Sequence, residues 1–131
     1  MAAGGAPAAP ATAALRYLLA ELPELLLAAV LDLSTGQLLA TYAAERAYQP
    51  SVLAAPIAAV VRQAQLLRQA QLLRQAQPSE ALQEVLLTLA SQLHLVRLRE
   101  DGQQALFLAI GSHDTNLALA RQLAEHAASL L

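Results

Sequence analysis

"LLLAAVLDLSTGQLLATYA", Leu25 to Ala43, sets two apolar runs on either side of a short polar turn that contains Gly36. The first run, Leu25–Asp32, is too short and too evenly apolar for a surface helix, whose polar face would interrupt it. Two such runs around a Gly-containing turn predict a β-hairpin. A strand that is apolar at consecutive positions, rather than alternate ones, must be covered on both faces. This stretch therefore asks for a sheet with a layer on each side, and its flanks must supply both layers.

Upstream, Pro23 ends a helix predicted over "AALRYLLAEL", with Thr12 as its cap and Leu15, Leu18, Leu19 and Leu22 as its apolar stripe. Residues 1–11 read as a flexible Ala/Gly/Pro tail, since they lack the basic start of a signal peptide and Pro7 and Pro10 break the apolar run. Residues 12–131 then form a single domain. Downstream, a second helix is predicted between Ser51 and Gln77, with Pro56 in its first turn or Ser51 as its start, and Pro78 as its stop. "ALQEVLLTL", "LHLVRLR" and "QQALFLAI" follow as three strands, separated by Ala90–Gln92 and by the hairpin signal Asp101-Gly102. The last helix, Asn116–Leu130, takes Asp114 or Thr115 as its cap. The order is α-β-β-α-β-β-β-α. It describes an α+β fold (an α/β sandwich) with an antiparallel sheet between the first and last helices on one face and the long second helix on the other.

Composition narrows the function. Among 131 residues, 56% are hydrophobic, 3% aromatic and 14% charged, so Leu, Ala and Val must fill the core. Such low charge implies that some apolar surface is covered by a partner. The net charge of −2 offers no basic track for a phosphate backbone, so nucleic acid is not an expected partner. Without cysteine there is no disulfide framework and no Zn–thiolate site. No run of about 18 apolar residues is free of polar interruption, so membrane insertion is not expected, and a cytoplasmic place is.

The run "RQAQLLRQAQLLRQAQ", Arg62 to Gln77, repeats a six-residue unit. Six does not match the helical turn, so Arg62, Arg68 and Arg74 point in three directions, and the 3.5-residue spacing of a coiled coil is missing. The unit reads as a duplication that lengthens the helix. At 1.5 Å per residue, a helix from Pro56 to Gln77 is about 33 Å long. A seven-residue strand spans about 23 Å, so the last turns should overhang the sheet. Leu53, Ile57, Val60, Ala64 and Leu67 fall on one stripe, the expected sheet side. Ala59, Leu66, Ala70 and Leu73 fall roughly opposite, where one sheet cannot bury them.

Catalytic chemistry finds little support. "GSHDTN" places Ser112, His113 and Asp114 side by side, but a triad converges from separated positions, and no G-x-S-x-G precedes any serine. The segment reads as a loop and helix cap. His94, His113 and His126 lack metal-ligand spacing. A phosphate loop would need a G-x-x-x-x-G-K-[ST] run, and the chain has no lysine. No catalytic residue, cofactor or metal is therefore expected.

"ELPELLLAAVLDLSTGQLLATY" resembles the first hairpin of the Roadblock family, in which an apolar strand ends in Asp and a Gly turn leads to a second apolar strand. "EVLLTLASQLHLVRLREDGQQALFLAIGSHDTNLALARQLAE" resembles that family's second half, where three strands and a polar loop lead to an Asn-Leu pair, here Asn116 and Leu117, at the last helix. The bacterial gliding-motility regulators are the type within it that the chain resembles. The resemblance implies a Roadblock/profilin-like, five-stranded antiparallel sheet. It also implies a homodimer, or a heterodimer with a paralogue, in which the third strands pair edge to edge and the second helices pack together. Ras-like GTPases are the partners it implies. Transferred to this chain, the dimer or partner interface comprises Ala59, Arg62, Leu66, Ala70 and Leu73 on the second helix. Gln83, Glu84, Val85, Leu86 and Leu87 of the strand Leu82–Leu89 complete it. The expected function is a non-enzymatic dimeric regulator or adaptor of a Ras-like GTPase. A structural scaffold without nucleotide dependence and a small-molecule sensor are the alternatives.

Overall fold

The computed structural model describes residues 8–71, 80–112 and 116–131. The hairpin forms as β1 (Leu25–Asp32) and β2 (Gln37–Ala43). Its turn is built by Asp32, whose buried carboxylate accepts from Ser34 Oγ at 2.6 Å, Ser34 N at 2.9 Å and Thr35 N at 3.2 Å. Gly36 takes a φ of 76°, which only glycine adopts freely, and donates its N–H to the Asp32 carbonyl. The remaining strands are β3 (Glu84–Thr88), β4 (Gln92–Leu98) and β5 (Gln104–Gly111). All pair antiparallel in one sheet of order β2-β1-β5-β4-β3.

Consecutive apolarity does what it predicted. Side chains alternate across a strand, so β1 and β5 feed two separate cores. Ala28, Val30, Leu106, Leu108 and Ile110 face helices α1 (Ala8–Glu21) and α3 (Leu117–Ser129). Ala29, Leu31, Ala105, Phe107 and Ala109 face the other way, against Ile57 and Val61 of helix α2 (Ala54–Gln71). The helix layers, the strand count and the chain order agree with the expected α+β sandwich.

Three local expectations are corrected. Helix α1 starts at Ala8, so residues 8–11 of the expected tail are helical and Thr12 is internal. The alanine-rich start is helix-forming, and Pro10 sits in the first turn, where an N–H has no helical partner anyway. The α3 cap is Asn116, whose Oδ1 accepts from Ala118 N at 2.8 Å and Leu119 N at 3.3 Å; Asp114 and Thr115 lie outside the described residues. The sheet-facing stripe of α2 is also turned from the one expected. It runs through Leu53, Ala54, Ile57, Ala58 and Val61, while Val60 and Ala64 are half-buried and Leu67 is 60% exposed. Small Ala54 and Ala58 let the helix lie close to a sheet surface that is itself rich in alanine. Pro56 does fall in the first turn of α2. The expected end of this helix at Gln77 and Pro78 lies outside the described residues.

Candidate interaction surface

Strand β3 is a sheet edge, so half of its backbone groups point away from β4 with no strand beyond them among the described residues. An edge strand is ordinarily guarded by charge or proline. Here the row Leu86, Leu87 and Leu89 is 37%, 40% and 47% exposed. Register with β4 sorts the strand by face. Val85 lies opposite Val96 and Leu87 opposite His94, on the α2 side; Glu84 lies opposite Arg97, on the α3 side.

Helix α2 adds a second apolar surface beside this edge. Buried positions stop at Val61, and the turns that follow expose Leu66 and Leu67, as an overhanging helix should. On the outer stripe Ala59 is half-buried, Arg62 and Ala70 are exposed and Leu66 is 55% exposed; Leu73 lies outside the described residues. Arg68 does not reach outward. Its Nε donates to Gln65 Oε1 at 2.9 Å and its Nη1 to the Glu80 carbonyl, which ties α2 to the approach to β3.

Of the expected strand residues, Gln83 and Leu87 are exposed, Val85 is half-buried under α2, and Leu86 is exposed on the α3 side. Glu84 turns inward. Its Oε2 accepts from Arg121 Nε at 2.6 Å, while Oε1 lies 3.6 Å from Arg97 Nη1 without a hydrogen bond. Arg97 in turn approaches Glu125 at 3.6 Å. This ion-pair group pins β3 to α3, a role that spacing alone did not disclose. The cross-strand pair Glu84–Arg97 was the available signal.

Other surfaces are less developed. An open groove of about 890 Å³ between the start of β3, the β4–β5 turn and the end of α3 contains Arg97 and Arg99, but both are held by carboxylates of Glu84 and Asp101. His94 and His126 lie on opposite faces of the sheet, against Phe107 and Tyr17. By length and composition alone, Pro50–Ala70 (21 residues, mean hydropathy 1.2) could cross a membrane. Ile57 and Val61 of this helix pack into the sheet-side core.

A five-stranded antiparallel sheet with one helix on one face, two on the other, and an apolar edge beside the lone helix defines a Roadblock-type fold. Solved structures agree. Myxococcus xanthus MglB is similar with a TM-score of 0.73 and 15% identity, over 99% of this chain and 90% of that one. An MglB in a tetrameric arrangement is similar at 0.69 and 25% identity, over 92% and 86% of the two chains. The Roadblock/LC7 domain from Streptomyces avermitilis is similar at 0.65 and 16% identity, over 85% of each. No family model and no curated protein matches the chain. The chain has the Roadblock fold, and the likeness at 25% identity supports the family resemblance carried by its Asp-Gly hairpin and its Asn116-Leu117 pair.

Proposed function

We propose that the chain is a dimeric, non-enzymatic regulator or adaptor of a Ras-like small GTPase, acting in the cytoplasm. The observation that carries this reading is the pair of exposed apolar surfaces on the β3 edge and the outer stripe of α2, with Leu66, Leu86, Leu87 and Leu89 all at least a third exposed. Two copies meeting β3 to β3 complete each other's edge, and a two-fold contact counts each buried leucine twice, at about 1.5–3 kcal/mol each when fully covered. Self-association is in keeping with the tetrameric arrangement of the MglB that is 25% identical. A paralogue could take the second place in the same way.

The two α2 helices of such a dimer lie side by side as a broad platform of low charge. A GTPase displays different switch surfaces with GDP and GTP, and an apolar platform can select one of them. The test has two stages. Light scattering at high micromolar concentration must give a dimer. A Ras-like protein recovered with this chain from its native cell must then bind more tightly in its triphosphate form, with single-turnover GTP hydrolysis measured with and without the chain. A dimer that binds both nucleotide states equally is a scaffold, and a monomer removes this interface.

A further inference from the structure

We propose that His94 is a proton-sensitive latch on the β3 edge, whose imidazolium form loosens β3 and any dimer built on it. The latch lies within one chain; only its effect on dimerisation rests on the reading above. His94 is half-buried in β4, on the α2 face, with Leu87 of β3 and Ala109 of β5 as its cross-strand neighbours. Its ring meets Phe107 edge-on, with centroids 5.5 Å apart. Its Nε2 is 2.8 Å from Gln92 Oε1. A carboxamide oxygen only accepts, so the neutral ring carries its proton on Nε2 and a second proton goes to Nδ1.

Among the described residues, what surrounds the ring leaves that second charge uncompensated. Strand β3 brings Val85 and Leu87 to this face, and β5 brings Phe107 and Ala109. The charged side chains of α2 are Arg62, which is exposed, and Arg68, which is held by Gln65 and the Glu80 carbonyl. Both are cations. Glu84, the carboxylate of β3, is on the far face with Arg97 and Arg121. Burial alone pushes the His94 pKa below its ordinary 6.5. An imidazolium there gains hydration by turning outward, toward its cross-strand neighbour Leu87 on a strand of only five residues.

The sign follows from the lowered pKa. The closed edge keeps its full stability above pH 6.5 and loses it as pH falls from 6.5 through the depressed value. Where separation of the copies also frees β3, each His94 can take up a proton, and log Kd can then change by up to about two for each pH unit.

Sedimentation equilibrium at about pH 7.5 and about pH 5.5, with amide exchange protection of Leu86–Thr88, tests the latch on the wild type, His94→Leu and His94→Gln. His126 remains in both variants as an internal control. Kd should rise at least ~10-fold on acidification in the wild type and less than ~2-fold in either variant, with β3 protection lost in the wild type alone. Acid weakening of equal size in the variants, or a wild type indifferent to pH, overturns the proposal. Should the wild type be a monomer at about pH 7.5, the dimer reading fails. The exchange data then decide the latch: acid loss of β3 protection confined to the wild type upholds it, and unchanged protection overturns it.

Discussion

Asp32 ends β1 with its carboxylate folded back into the hairpin, and Ser34 is the largest cause of its lowered pKa. Replacing it with alanine removes three hydrogen bonds between a buried carboxylate and an exposed turn and should cost roughly 1–3 kcal/mol near neutral pH. The carboxylate's contribution is complete above its ordinary 3.8 and is lost as pH falls through the depressed value. Urea melts of the wild type and Asp32→Ala should therefore converge in acid; a gap that stays constant would show that the charge is irrelevant. Asn116→Ala tests a second single residue. It strips the two bonds that cap α3 and should lower stability by about 1 kcal/mol without changing the sheet. Both residues were within reach of the sequence, but differently. Asp32 stood at the end of an apolar strand, so its place was clear. Asn116 had two equally good cap formers just before it, and only backbone geometry chose among them.

At the scale of elements, α2 is half core and half surface. Ile57→Ala should cost about 2–5 kcal/mol, since the side chain is 3% exposed, whereas Leu66→Ala should change monomer stability by under about 1 kcal/mol. Leu66→Glu should lower the dimer fraction sharply in light scattering while circular dichroism stays unchanged; a dimer that survives it does not use α2. The strands could be read because β1 and β5 are apolar at every position, a pattern that only a doubly covered sheet explains. The facing of α2 could not be read as surely. Its alanines occur all round the helix, so Leu53-Ile57-Val60 and Leu53-Ile57-Val61 are equally apolar stripes, and close packing of Ala54 and Ala58 on the sheet decides between them. The β3 edge was found as a strand, but the inward turn of Glu84 depends on Arg121, 37 residues away in sequence, which no local pattern reveals.

For the whole molecule, the platform reading separates two kinds of regulator. If positioning alone orders the GTPase's own catalytic groups, Arg62→Ala should keep most of any acceleration and Leu66→Glu should abolish it. Collapse of the single-turnover rate in Arg62→Ala would make exposed Arg62 an arginine donor instead. The few charges predict little change of affinity with salt. The strand order carries one more consequence, for synthesis. The N-terminal hairpin joins the rest of the sheet through β5, which is the last strand of the five to leave the ribosome. Until then Leu25–Leu31 has β2 on one side only, without β5 on the other or Leu106, Phe107 and Leu108 to pack beside it. A nascent chain stopped before Gln104 should be a client of chaperones and an easy substrate for proteases, and release of β5 and α3 should convert it to a protected domain.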